Sequence, residues 1–353
     1  MTDALQAHHE AQGTSLTDID GAPVPSSFGE SLNEGCRLLR QEVGLVDLGW
    51  RRHLVLTGRH RARFLHNMST CQVKELTPGE VRFGMTVGRD GKLVADFFLS
   101  VSEESLTLES SASNVERILA HLKSHIIADD VQLTPRDDLS VLALVGPGAA
   151  EVVTALGADP GDPLTQTIDF DGSVAVMRAN DQRLLIPGWD VTCDADRAPA
   201  MWQALLSAGA TAVGVTAWEA VRVAQGVPRV PVDLGAENIP LESEVLAATI
   251  DWDKGCYIGQ EVIAMMHYRG RPNRHLVGLR LPDGAELPAP GTQVFSDAGK
   301  AVGVTGSALV APELGGPFAL AVVRRKHAIA DSPLSLESGG TGSVVLAPFM
   351  TSS

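Results

Sequence analysis

Residues 253–262 read DKGCYIGQEV, and they hold one of only four cysteines in 353 residues. Gly255 and Gly259 bracket a tight turn, and the QEVIAMMHY that follows has the composition of a helix. Cys256 therefore falls just before an expected helix N-terminus, two residues from Lys254. Both features favour a thiolate over a thiol. No Ser/His/Asp-like order accompanies it, and ten scattered histidines single out no partner base. On these grounds a reactive Cys256 and a packed one both stay open.

Working outward, HLVLTG (53–58) reads as a strand and RHRARFLHNMST (59–70) as a helix carrying Phe64, Leu65 and Met68 on one side. VRFGMTVGRDGKLVADFFLSVSEESLTLES (81–110) has the pattern of a meander. Asp90-Gly91 marks its first turn and SEES its second. SNVERILAHLKSHI (113–126) spaces Val115, Ile118, Leu119 and Leu122 helically. A similar cycle follows residue 136: SVLALVG strand-like, GAAEVVTALG helical, SVAVMRA and RLLIPGWDVTC strand-like, RAPAMWQALLSAG helical. Strands and helices alternate irregularly with hairpins among them, which favours an α+β body, duplicated in order, over a doubly wound sheet. From about residue 272 the texture changes. HLVGLRL, AVGVTGSALV, PFALAVV and GSVVLAPF are short apolar runs between turn residues, as in a small closed β domain.

Four segments are expected: a polar leader over 1–35, loosely held; a first lobe over 36–135; a second over 136–271 that carries the cysteine motif; and a β-barrel over 272–353. The balance of 28 basic against 43 acidic residues gives a net charge of −15, which opposes nucleic-acid binding. The N-terminus has no signal-peptide core and no stretch reaches membrane-spanning length, so a cytoplasmic protein with no membrane partner is expected. Cys36, Cys71, Cys193 and Cys256 are too widely spaced for a standard metal motif, and no metal is expected. GPGAAE (146–151) follows a strand and opens a helix, but Glu151 stands where a dinucleotide fingerprint needs glycine, so it reads as a plain turn. RGRPNRH (269–275) gathers Arg269, Arg271 and Arg274 as either a solvated linker or an anion clamp. RRKH (324–327) either extends that patch or is an exposed strand end.

KGCYIGQE resembles the signature K-G-C-Y-x-G-Q-E of the YgfZ-type folate-binding proteins. These are relatives of the glycine-cleavage T-protein (aminomethyltransferase) that support iron–sulfur enzymes. GLVDLGWRRHLVLTGRHRARFLHNMST (44–70) is similar to the family's N-terminal block, and AWEAVRVAQGVPRVPVDLGAENIPLES (217–243) to its R-x-x-x-G-I-P…D…I-P-x-E block. RHLVGLRL and AVGVTGSALVAPELGGPFALAVV resemble its C-terminal barrel. The resemblance implies two related α/β lobes around a central hole, followed by a β-barrel. It implies Cys256 and Lys254 as the chemical pair, and Asp96, Arg222, Gln225, Tyr257, Gln260, Glu261 and Arg269 as residues that hold tetrahydrofolate or a folate-like small molecule. The T-protein's adjacent aspartates, the second of which positions the folate nitrogen, become Ala95 and Asp96 here. The glutamate that reads the pterin's amino-pyrimidine edge becomes Ala224.

The leading expectation is thus a folate-binding-like accessory protein whose partners are iron–sulfur enzymes or their assembly factors. A tetrahydrofolate-dependent aminomethyltransferase is the alternative, and a scaffold that has lost its ligand is the third reading. The glutamate tail of a bound folate is expected toward Arg269, Arg271 or Arg274.

Overall fold

The computed structural model describes residues 4–350, and its element order repeats. The first cycle runs strand Arg51–Thr57, helix Arg61–Met68, meander strands Val81–Val87, Leu93–Val101 and Leu106–Ser111, helix Ala112–Lys123 and strand Gln132–Arg136. The second runs strand Leu139–Val145, helix Ala149–Ala155, strands Gln166–Phe170, Ser173–Ala179 and Gly188–Asp194, helix Ala198–Ser207 and strand Thr211–Ala212. Sheet order repeats as well. In each sheet the three meander strands lie side by side, with the opening strand of the cycle next to the last of them. The duplicated α+β body expected from the sequence is present.

One strand crosses the expected boundary. Gly44–Asp47, assigned to the first lobe from its position in the chain, lies in the second sheet. It pairs antiparallel with Leu139–Val145 and parallel with Thr211–Ala212. All four of its residues are buried, as a strand covered on both faces should be. Residues 4–35 also differ from the loose leader that their polarity suggests. They form a helix, Ala4–Ala11, and a hairpin of Leu16–Ile19 with Ala22–Pro25. Leu5 and His9 are buried, and the His9 ring lies 4.9 Å from that of Trp202. Composition hid this because only a few apolar side chains anchor a mostly polar segment.

The chain forms two compact units. The first holds residues up to 65, 72–83 and 97–219. The second holds 66–71, 84–96 and everything from 220 onward. Residues 220–271 therefore group with the C-terminal strands, not with the second lobe to which they were assigned by sequence.

The first unit has an apolar core around the second sheet, where Leu45, Leu142, Met177 and Val191 pack against Met201, Trp202 and Leu205 of the Ala198–Ser207 helix. It also has a charged core. Glu109 accepts hydrogen bonds from Arg51, Arg178 and Arg183. Asp190 accepts from Arg183 Nε at 2.8 Å, Arg178 Nη2 at 2.7 Å and Asn180 Nδ2 at 2.6 Å. The guanidinium groups of Arg178 and Arg183 stack on Phe98, 5.0 and 4.6 Å from its ring centre. Burial alone would push both carboxyls up, but the surrounding arginines outweigh it and hold them below the ordinary range. This network bonds the first sheet, through Arg51 and Glu109, to the second, through Arg178 and Asp190.

In the second unit, Arg274–Arg280, Gly316–Arg324, Ala301–Ala311, Gln293–Phe295, Pro333–Leu336 and Thr341–Val345 close into a six-stranded barrel. Val277, Leu279, Val294, Ala321, Val323 and Val344 are among the side chains of its core. The β-barrel expected from about residue 272 begins at Arg274.

His53 faces Glu109 across the first sheet and is almost fully buried. Burial, together with the nearby arginines and against the pull of Glu109, holds its pKa down to about 4, from an ordinary 6.5. The unfolded chain takes up that proton below about 6.5, whereas the folded one does so only near 4. The stability His53 contributes is therefore complete above 6.5 and is lost as pH falls to about 4, a decline of about 3 kcal/mol. His121, held down to about 4 by burial and by His125, acts in the same window. Denaturant titrations across this range should show a shallower decline for His53→Gln than for the wild type. An unchanged slope would remove His53 from the account.

Candidate active site

The cysteine motif lies in the second unit and is organised by its lysine, not its thiol. Lys254 is buried, and its ammonium donates to the carbonyls of His66 and Cys71 at 2.7 Å each and to that of Ser69. The same ammonium lies 4.9 Å from the centre of the Tyr257 ring. Asp251 fixes the approach, since its Oδ1 accepts from the backbone N–H of Asp253 at 3.0 Å and of Lys254 at 3.1 Å. Two further bonds bind the motif to the same short segment. Ile258 N–H donates to Asn67 O at 2.9 Å, and Asp251 N–H to Thr70 O at 3.1 Å. Thr70 in turn exchanges backbone and hydroxyl hydrogen bonds with Met85, at the start of residues 84–96.

The tip of the hairpin formed by the strands Val81–Val87 and Leu93–Val101 explains the motif's second glycine. Gly259 caps the Gln260–Tyr268 helix with φ +78°, and a Cβ on it would lie 2.2 Å from the Gly88 carbonyl oxygen. Neither the backbone angle nor the space admits a side chain. Beyond the tip, Leu93 N–H donates to Asn238 O at 2.8 Å. Asp96 is half-buried on the strand Leu93–Val101, beside a fully buried Ala95.

The sequence-predicted residues divide into three groups. Lys254 and Tyr257 meet as part of the scaffold. Lysine is bound to three carbonyls, and burial pushes the tyrosine hydroxyl up to about 12. Cys256, between them, is exposed, whereas Cys36, Cys71 and Cys193 are buried. Gln260 is half-buried and Glu261 exposed in the first turn of the helix, where an acidic side chain complements the helix dipole. Arg269 is exposed at the other end of this nine-residue helix, about 13 Å along its axis from Gln260.

Arg222 has a structural task that sequence reading did not foresee. Its guanidinium pairs with Asp233 at 2.9 Å and donates to Val227 O at 2.6 Å and Ser307 Oγ at 2.7 Å. Asp233 also accepts from Ser307 N–H at 2.6 Å, so the pair joins the Val215–Ala224 helix to the barrel. Gln225 is half-buried, and Ala224 is completely enclosed. Sequence reading also passed over Glu242. It is buried, accepts a 2.6 Å hydrogen bond from Asn238 Nδ2, and is pushed up by burial against the pull of Asn238 and Arg274. The available signal was a carboxylate closing the I-P-x-E block.

The sequence model described as the GCVT N-terminal domain matches residues 5–254, and that of the glycine cleavage T-protein C-terminal barrel domain matches residues 274–350. The chain belongs to the glycine cleavage T-protein family. Curated relatives carry the name aminomethyltransferase. That of Prosthecochloris aestuarii is 27% identical over 98% of both chains. That of Streptomyces coelicolor is 28% identical over 92% of this chain and 90% of its own. The crystal structure of the glycine cleavage system aminomethyltransferase T from Bartonella henselae has the same fold, with a TM-score of 0.84, 21% identity, and coverage of 98% of this chain and 97% of that one. These relatives favour the transferase alternative over the iron–sulfur accessory reading that led the sequence analysis. Among the described residues, no group of three or more His, Cys, Asp or Glu is placed to hold a metal ion, and no helix is long and apolar enough to cross a membrane.

Two measurements separate the scaffold of this motif from its chemistry. Iodoacetamide should alkylate Cys256 before the three buried thiols of the folded protein, Cys71 being further protected because burial raises its pKa. Equal labelling of all four would contradict the exposed placement. Lys254→Met would leave three carbonyls without their shared donor and should cost about 3 kcal/mol in urea titrations, whereas Cys256→Ser should stay within about 0.5 kcal/mol. A Lys254→Met variant as stable as wild type would show that its hydrogen bonds do not organise the motif.

Proposed function

We infer that the protein is a tetrahydrofolate-dependent aminomethyl- or methyltransferase in which Asp96 holds the amine of the folate. The observation that carries this reading is the half-buried carboxylate of Asp96, kept at the position matching the second aspartate of the T-protein pair while the first has become a buried alanine. Partial burial strengthens a charge-assisted hydrogen bond without removing the carboxylate from a ligand's reach. Family membership over both domains supports the same conclusion. The fit to a pterin is incomplete, because Ala224 offers the amino-pyrimidine edge no acceptor and its side chain is closed off from solvent.

Calorimetric titration of the full chain with tetrahydrofolate tests the proposal. Saturable binding is expected, weakened about ten- to a hundredfold by Asp96→Asn, the equivalent of one charge-assisted hydrogen bond. No binding by the wild type, or equal binding by both proteins, would rule it out.

A second reading rests on the exposure of Cys256 within the K-G-C-Y-x-G-Q-E motif of the YgfZ-type proteins. In it the protein is an accessory of iron–sulfur enzymes with Cys256 as its working thiol. If Cys256→Ser lowers iron–sulfur enzyme activity in cells while Asp96→Asn does not, this reading displaces the transferase.

A further inference from the structure

The barrel carries a cleft of about 510 Å³ lined by Asn273, Arg274, Arg324, Arg325 and Lys326. Its volume is in the range of small-molecule sites, yet no apolar side chain lines it. Arg274 and Arg324 are direct partners in the antiparallel pair formed by Arg274–Arg280 and Gly316–Arg324, so two cations stand opposite each other on one face. Like charges in that register oppose folding. Arg325 and Lys326 follow in the next turn, held there by the hydrogen bond from Arg325 N–H to Asn273 O at 2.8 Å.

All four cations are exposed, and none makes an ion pair within 4 Å among the described residues. This is unusual in a chain with 43 acidic residues to 28 basic ones. The carboxylates that act on this region are Glu242, which interacts electrostatically with Arg274, and Glu244, which acts on His275 beside it. Glu242 already accepts from Asn238, and neither carboxylate lines the cleft.

We propose that this cleft is a binding site for a small polyanion bearing at least two phosphate or carboxylate groups. A carboxylate has about four lone-pair positions and a phosphate group roughly twice as many, both fewer than the N–H donors of three guanidinium forks of five each and one ammonium. Two or more groups a few ångströms apart can engage opposing arginines, each in bidentate fashion, and remove the repulsion between Arg274 and Arg324. Nucleic acid fits less well, because the surrounding charge of −15 repels an extended phosphate chain while four clustered cations can still hold a compact one.

The cleft includes Arg274, one of the arginines toward which the glutamate tail of a folate is expected, and probes without a pterin test the cleft apart from the folate reading. The full chain is titrated calorimetrically with inorganic pyrophosphate and, separately, with a tetraglutamate peptide, at low and at raised ionic strength. One saturable site is expected for at least one probe, weaker at higher salt. The probe that binds more tightly tells a phosphate ligand from a carboxylate one. The double variant R324A/R325A should weaken binding at least about tenfold. R280A, an exposed arginine at the other end of the strand Arg274–Arg280, should leave it unchanged. Thermal melts of both variants verify that they are folded. Absence of saturable binding, equal loss in R280A, or binding only to an oligonucleotide would overturn the proposal.

Discussion

The motif at residues 253–262 depends on one buried ammonium. Lys254 holds three carbonyls between His66 and Cys71, at and just past the C-terminus of the helix Arg61–Met68, where carbonyl groups have no intrahelical N–H partner. A cation with three donors meets that need where a neutral side chain would leave at least one acceptor bare. Once residues 66–71 are fixed, Thr70 positions Met85 and the hairpin, and the hairpin tip excludes any side chain at position 259. The lysine expected to favour a neighbouring thiolate directs its ammonium at three carbonyls, and the thiol beside it faces solvent.

The first unit solves a related problem with charge. Its two sheets meet at five ionised side chains, Arg51, Glu109, Arg178, Arg183 and Asp190, in a place where apolar packing would be simpler. Ion pairs so deeply buried give little net stability against a hydrophobic replacement, because desolvation offsets the attraction. They do penalise mispairing. Any register that separated Glu109 from its three arginines would leave a bare charge in low dielectric, and a one-residue slip of either sheet would do this. A duplicated body with two sheets of similar order gains from such a key, since apolar strands of like pattern discriminate poorly among partners.

Periodicity made the repeat legible. The helix at Ala112–Lys123 buries Val115, Ile118 and Leu122 as their spacing implies, and the Asp90-Gly91 turn lies at the hairpin tip. The barrel was readable from short apolar runs between turns. What the sequence did not disclose was set by distant partners. Gly44–Asp47 looks like any short apolar run, and only its neighbours Leu139–Val145 and Thr211–Ala212 decide which sheet it joins. Arg222 carries no local sign that Asp233 and Ser307 will occupy its guanidinium. Composition misread residues 4–35, because Leu5 and His9 anchor them against a tryptophan almost two hundred positions away.

Asp96 and Ala224 together bear on what such a site can recognise. A carboxylate that reads a donor edge discriminates strongly, since a ligand lacking that edge leaves a buried charge unpaired. With alanine at 224 that penalty disappears, and so does the reward for presenting a pterin. Its full enclosure means that packing has closed over the position, so the loss is not an open cavity awaiting water. Asp96 keeps its carboxylate, which the proposed function assigns to a ligand amine. Under the proposed assignment of Asp96 to the folate amine, a chain with alanine at 224 should accept a wider set of ligands than a T-protein with both carboxylates. Selectivity must then come from elsewhere in the chain.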